Sequence, residues 1–366
     1  MSKNLHEKPF DQATIAKLEI FEDYAQAWIP TFVMYGDPVI CIFDFFAGTG
    51  YDKNGIPGSP IRILQKLREQ IARIFQKKVK VRVFFNEFDL EKYQQLSIAC
   101  KDFLHEYPEL DRAIELKIFN EDFDICFKTL LPEIRDCSSL VYLDQNGIRF
   151  LANKYLLELE KTTRTDFLYF VSSSYFWRFG DKEEFQSHVK LDMEEAKKRP
   201  YHYIHRSLIS QLQKQLPAGS NLKLYPYSLK KGANVHGIIF GASHPRAVDK
   251  FLKAAWRRNQ VNGEANFDID KDTQKGQLDI FSGKRLTKIE AFQQRFREKV
   301  LDGTITDNFA AFNFALDEAH LGRHAASELK KMKKEGLIDY DAKSPLVTYE
   351  KVCKEKRRIK FQITRK

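Results

Sequence analysis

"NLKLYPYSLKKGANVHGIIFGAS", Asn221 to Ser243, holds two apolar runs joined by the short "KKGA". Each run has the aromatic and β-branched content of a strand. A parallel crossover needs a dozen residues or more, so the two strands form an antiparallel hairpin.

Everything upstream reads differently. Apolar strands at "PVICIFDF", "VKVRVFFNEF", "IELKIF", "SSLVYLD" and "DFLYFVSSS" alternate with amphipathic stretches such as "SPIRILQKLREQIARIF", "LEKYQQLSIACKDFLHEY" and "FLANKYLLELEK". Near-continuous apolar strands separated by helices predict a parallel sheet covered on both faces. The chain opens on a helix, "DQATIAKLEIFEDYAQAWI", with Ile15, Leu18, Phe21, Tyr24 and Trp28 along one stripe. Five alternating strands closed by the hairpin predict a doubly wound, mostly parallel seven-stranded α/β sheet. This is the Rossmann-like form seen in methyltransferases, here over residues 1–285, with a charged helical insertion at about 180–218. "HPRAVDKFLKAAWRRN" is expected to close the sheet, and "NGEANFDIDKDTQKGQLDIFSGKR" to be an irregular linker.

The remaining segment, 286–366, reads as a separate small unit. A helix near "DNFAAFNFALDE", a turn "AHLG", a helix "RHAASELKKMKKEG", a short "LIDY" and a closing strand "RRIKFQIT" predict a winged helix-turn-helix. Two domains also suit the length, because 366 residues exceed the roughly 250–300 that one core organises. Hydrophobic residues make up 43% and charged residues 30%, which excludes a disordered or collagen-like chain. No apolar run approaches the roughly 20 residues of a spanning helix, and "MSKNLHEKPFDQ" lacks the apolar centre of a signal peptide. A cytoplasmic protein without membrane contact is expected.

Five scattered cysteines, Cys41, Cys100, Cys126, Cys137 and Cys353, show no C-x-x-C spacing, so the sequence predicts neither a disulfide framework nor a metal site. The net charge of +10 is concentrated at one end: Lys351 to Lys366 carries eight basic residues and one acidic. In "RRIKFQIT", Ile359, Phe361 and Ile363 alternate with Arg358, Lys360 and Gln362, which predicts a strand with one buried and one partly basic face. With Lys330, Lys331 and Lys334 of the preceding helix, Arg357, Arg358 and Lys360 are candidate contacts to a DNA or RNA backbone.

The first strand runs into "CIFDFFAGTG", Cys41 to Gly50. No Gly-Lys-Ser/Thr follows, which excludes a Walker loop, and Lys53 stands where a dinucleotide fingerprint needs its third glycine. An acid followed by G-x-G after a first strand fits S-adenosylmethionine, with Asp44, beside Phe45, accepting from its amino group and Gly48 and Gly50 admitting the backbone. Glu87 ends the second strand, where doubly wound nucleoside binders carry an acid for the ribose hydroxyls, and Asp89 is its neighbour. Asp122 and Phe123 after the third strand are candidates for the adenine amine and ring. Asp144 ends the fourth strand and is the candidate general base. His202 and His205 in "YHYIHR" stand one helical turn apart without a third ligand nearby. Tyr175, Phe176 and Trp177 end the fifth strand as either a stacking wall or core.

"KLEIFEDYAQAWIP", "FDFFAGTG", "GSP", "FNEFDLEKYQQL", "NEDF", "LDQNG" and the terminal pattern together resemble the three-Cys-motif partner protein family, from about Lys17 to the terminal strand. The resemblance implies a class I methyltransferase fold with a terminal winged helix. It also implies a separate partner whose three-cysteine motif suggests an iron–sulfur or radical enzyme. Asp144-Gln145-Asn146-Gly147 departs from the Asp-Pro-x-Gly frequent in that family and lacks the Pro-Pro-aromatic run of base-amine methyltransferases. The expected function is S-adenosylmethionine-dependent methyl transfer to nucleic acid or a nucleotide-derived substrate. The alternative is a non-catalytic binding partner of the same fold, and a nicotinamide enzyme ranks third.

Overall fold

The structure, a computed structural model, describes residues 9–144, 153–162, 164–186, 190–232, 234–275 and 285–364. It divides into two compact units, Met1–Ser243 and His244–Lys366.

The first unit runs α1 (Gln12–Tyr35), β1 (Val39–Asp44), α2 (Ser59–Arg68), α3 (Ile71–Lys77), β2 (Lys80–Asn86), α4 (Leu90–Glu106), α5 (Pro108–Asp111), β3 (Ile114–Phe119), α6 (Phe123–Asp136) and β4 (Ser138–Leu143). It continues with α7 (Asn153–Glu160), β5 (Thr165–Val171), α8 (Ser173–Phe179), α9 (Glu183–Gln186), α10 (Met193–Lys197), α11 (Ile204–Gln215), β6 (Lys223–Lys231) and β7 (Asn234–Ala242). The strands form one seven-stranded sheet in the order β3-β2-β1-β4-β5-β7-β6. β1 to β5 are mutually parallel, while β7 pairs antiparallel with both β5 and β6. The hairpin therefore forms as its short connection requires.

Local chemistry sets the ends of α1. Asp11 caps it by accepting from the Thr14 amide at 2.9 Å, and Gly36, at φ +81°, ends it in the left-handed region. The helix runs past Ile29 and through Pro30, further than its stripe suggests, because Ile29, Thr31 and Val33 are themselves buried. One face of the sheet packs on α6 through Phe43, Phe127, Leu130 and Ile134, and α1 stacks Phe21 on Tyr142 of β4 at 4.0 Å.

The second unit holds α12 (Pro245–Arg258), α13 (Lys288–Leu301), α14 (Asn308–Asp317), α15 (Gly322–Lys334), β8 (Ile338–Asp339) and β9 (Gln362–Ile363). α13 starts with a full capping box between Thr287 and Glu290. The unit begins well before the 285/286 boundary suggested by the sequence. α12, expected to close the sheet, belongs to this unit: Trp256 donates to the Ala319 carbonyl at 3.0 Å and meets His324 edge-on at 4.5 Å. Part of the expected linker is also fixed there. Asn259 and Asn262 both donate to the Phe267 carbonyl at 3.1 Å, and Lys288 reaches Glu264 at 2.5 Å. Residues 276–284 of that stretch lie outside the described residues.

α14, α15, β8 and β9 make a winged helix-turn-helix with a short wing, two residues paired on each side. The terminal segment is threaded rather than extended into a long strand. Phe361 donates to Thr306, Thr364 to Leu337, and Asn308 both donates to Arg357 and accepts from Ile359. Ile359 and Phe361 are buried as the alternation predicts, but Ile363 is 46% exposed because the strand ends there.

Candidate functional site

The chain leaves β1 toward β2 and β3 on one side, and β4 and β5 lie on the other, so the order of connections reverses between β1 and β4. Open α/β sheets bind ligands at the carboxyl edge of such a switch point. Asp44 is the last residue of β1; Glu87, Asp122 and Asp144 follow β2, β3 and β4. These four acids stand along one edge, with Asp89 beside Glu87.

Asp44 is 1% exposed. Its Oδ1 accepts from the Phe46 amide at 3.2 Å, whereas among the described residues no donor reaches hydrogen-bond distance of the buried Oδ2. Burial pushes its pKa up to about 7, opposed by the nearby Ser59 hydroxyl and the Phe46 amide and reinforced by the Asp144 and Glu87 carboxylates. Tyr142 pairs with Asp44 in register, so the two share a face of the sheet. Its hydroxyl is likewise buried without a partner, and burial followed by the charges of Asp144 and Asp44 raises its pKa. Two unpartnered polar atoms on one face of one sheet edge are uncommon, because buried polar groups are nearly always paired.

The glycine loop owes its shape to backbone conformation. Gly48 and Gly50 adopt φ of +69° and +87°, and a Cβ on Gly50 would lie 2.9 Å from that of Ala99. Glu87 ties the loop to the second strand: its Oε2 accepts from the Gly48 amide at 2.9 Å and its Oε1 from the Asp89 amide at 3.0 Å. Each oxygen keeps a lone pair for a further donor. Behind it, buried Asn86 donates to the Glu121 carbonyl and accepts from the Glu121 amide, both at 3.1 Å, joining the ends of β2 and β3. Asp89 caps α4, accepting from Lys92 at 3.1 Å.

Asp122 caps α6, with its side chain accepting from Asp124 at 2.9 Å. Phe123 and Phe45 are core residues, each 2% exposed, and their rings meet edge-on at 5.4 Å. Both are expected cofactor contacts, Phe45 beside Asp44 and Phe123 for the adenine ring; in the structure their rings pack on each other between β1 and α6. The exposed aromatic on this edge is Phe88, 69% exposed between Glu87 and Asp89, with its carbonyl held by Asn120 at 2.8 Å. Its position directly after the strand acid was the available signal.

Asp144 is ion-paired with Lys17 of α1, whose ammonium lies 4.6 Å from the centre of the Phe170 ring. Nothing in the spacing of the sequence joins Lys17 to Asp144. Gln145, Asn146 and Gly147 lie outside the described residues.

The remaining constellations resolve as packing. His205 is buried, with Nδ1 3.3 Å from the Ser228 hydroxyl, and a Cβ on Gly237 would lie 2.0 Å from its ring. Burial pushes its pKa down to about 3, so it is a neutral core ring. His202 lies against Tyr203 at 4.1 Å. Phe176 is buried and Trp177 meets Tyr201 edge-on at 5.5 Å; the Tyr175 side chain lies outside the described residues.

In the second unit, Lys330, Lys331 and Lys334 of α15 and Arg357 and Lys360 of the tail are exposed, without an ion pair among the described residues. Arg358 differs. It pairs with Asp307 at 3.2 Å and lies over Phe309 at 4.9 Å. Lys333 is likewise held, by Asp339 and the Tyr340 carbonyl. No helix among the described residues is long and apolar enough to cross a membrane.

No curated protein matches the chain. Among solved structures it is similar to the O-methyltransferase TomG of Streptomyces achromogenes, involved in tomaymycin synthesis and solved in complex with S-adenosylmethionine. The identity is 11% and the TM-score 0.34, over 64% of this chain and 90% of that one. It is similar also to a putative class I S-adenosylmethionine-dependent methyltransferase of Listeria monocytogenes, at 11% identity and TM-score 0.31, over 67% of this chain and 63% of that one. The fold itself rests on strand order, not on these likenesses. Residues 268–345 match the family model described as the GMT-like wHTH domain.

Proposed function

We propose that the chain is an S-adenosylmethionine-dependent methyltransferase acting on nucleic acid or a nucleotide-derived substrate. The observation that carries this reading is the unpartnered, buried Oδ2 of Asp44 beside a glycine loop whose Gly48 amide is held by the strand-end acid Glu87. The residues fit the cofactor: a buried acceptor suits an ammonium, the loop admits a close backbone, and Glu87 keeps acceptor capacity for a diol. Asp44, Gly48, Gly50, Glu87 and Asp122 would hold it, with Phe88 for the base in place of Phe45 and Phe123. When bound, the cofactor supplies an electrophilic methyl group on its sulfonium.

The chain's own residues would do the rest. Asp144 takes the proton of the acceptor's hydroxyl or amine, and Lys17 fixes the carboxylate against Phe170 until the acceptor displaces it. The basic face of α15 and the tail recruits the acceptor through its phosphates. A three-cysteine partner protein belongs to the same proposal, on the resemblance alone.

Calorimetry with S-adenosylmethionine or S-adenosylhomocysteine tests the cofactor. Binding is expected, weakened in Glu87→Ala by about 1–3 kcal/mol, the scale of a lost charged acceptor. No binding at millimolar cofactor overturns the reading. The ion pair on Asp144 favours a second reading, a protein that binds the cofactor without turnover. Under the first, Asp144→Ala abolishes methyl transfer at unchanged cofactor affinity; under the second, neither the wild type nor the variant transfers methyl.

A further inference from the structure

At the opposite end of the strands from the glycine loop, the fold gathers three ligating groups. Cys41 lies on β1, Glu133 in the last turn of α6, and Cys137 at the C-cap of that helix. Their sulfur and carboxylate ligand atoms all lie within 4.8 Å of one another. A tetrahedral cation, with bonds of about 2.3 Å to sulfur and about 2.0–2.2 Å to oxygen, sets its donors roughly 3.4–3.8 Å apart, so the three groups need at most a small side-chain shift to close on one ion. From this geometry we infer that Cys41, Cys137 and Glu133 form a site for one thiophilic d10 cation, Zn2+ or Cd2+, with a fourth position open.

Four observations support the site beyond proximity. Both cysteines are free thiols and both are buried, so a bound cation would be shielded. Glu133 is partly exposed, with 38% of its side chain accessible, so the cluster opens to solvent on that side. Arg82, in register with Cys41 on β2, donates to Glu133 at 2.6 Å and orients the carboxylate as an outer-shell partner does. The charges also close: two thiolates, a carboxylate and a divalent cation leave one negative charge, and with Glu115 on β3, paired to Arg82 at 3.2 Å and to Lys80 at 2.6 Å, the two cations balance it.

The site would tie β1, the start of β4 and the end of α6 together, so its role would be structural and independent of the proposed methyl transfer.

The test is Cd2+ titration of the reduced full chain, followed by thiolate-to-cadmium absorption, with X-ray absorption on the Zn2+ form. One cation per chain is expected, with two sulfurs in its shell and a raised unfolding midpoint. Cys41→Ser and Cys137→Ser should each lose the absorption, whereas Glu133→Gln should keep it and weaken binding about tenfold. Absence of stoichiometric binding overturns the site, as does a signal lost only in Cys353→Ser. If the serine variants do not fold, the wild-type absorption spectrum decides: a shell with fewer than two sulfurs overturns the site.

Discussion

Asp44 and Asp166 are both buried carboxyls, and burial pushes the pKa of each up to about 7. Asp166 lies near the start of β5, where the Tyr24 hydroxyl donates to its Oδ2 at 2.6 Å across from α1. Asp44 ends β1 with the Ser59 hydroxyl close by, and its Oδ2 has no donor within hydrogen-bond distance among the described residues. Desolvation treats the two alike; hydrogen bonding does not. A buried acid with its donor supplied holds a helix to a sheet. The same acid left half-satisfied at a switch point costs stability unless a ligand completes it, and that contrast, not the pKa, singles out Asp44.

The largest effects should test this contrast directly. For both groups the folded-state pKa lies above the unfolded value, so the native state binds the extra proton. Stability is therefore fully present below about pH 4 and falls as pH rises toward 7, by on the order of 4 kcal/mol for each group. Urea unfolding across that window should give a shallower slope in both Asp44→Asn and Asp166→Asn. The variants should part elsewhere. At pH 5, Asp166→Ala should lose about 1–3 kcal/mol because the Tyr24 hydroxyl is stranded, while Asp44→Asn should fold normally and, at pH 8 where the wild-type carboxyl is ionised, lose cofactor affinity. Full affinity in Asp44→Asn, or its loss in Asp166→Asn, would break the comparison.

A smaller effect concerns the aromatics of the same edge. Phe88→Ala removes a 69% exposed ring that packs on little, so stability should hardly change, while cofactor affinity should fall by about 1 kcal/mol if the ring stacks on the base. Calorimetry beside a melting curve separates the two. Unchanged affinity would return the base contact to another side chain.

The sheet, the hairpin and the glycine loop were legible because each is encoded locally, in periodicity, connection length and turn chemistry. The acids at the strand ends were legible for the same reason. The packing of Phe123 was also open to reading: Phe123, Cys126, Phe127 and Leu130 fall at i, i+3, i+4 and i+7, and all four are buried on one helix face. Other features could not be read at all. Lys17 with Asp144, Tyr24 with Asp166 and Cys41 with Cys137 are partners brought together only by the closed sheet and its covering helices. Likewise, α12 has the stripe of a sheet-covering helix, and only Trp256 against Ala319 and His324 shows that it packs in the second unit.

The smallest effect sharpens the contrast between held and free charges in the winged helix. Arg357 and Arg358 are adjacent and both exposed, but Arg358 is committed to Asp307 and Phe309, whereas Arg357 has no ion pair among the described residues. A cation already neutralised by a carboxylate releases fewer counterions when it meets a phosphate. Replacing Arg357 or Lys360 should therefore flatten the slope of log affinity for duplex DNA against log salt by up to about 0.9 each, with little change in folding. Replacing Arg358 should flatten it less and lower the stability of the second unit by a fraction of a kcal/mol, the scale of an exposed pair. Lys330, Lys331 and Lys334 should behave as Arg357 does, and Lys333, held by Asp339, as Arg358 does. Slopes unchanged from the wild type in all of these variants would mean that the surface does not bind a phosphate backbone, and the proposed protein partner would become its target.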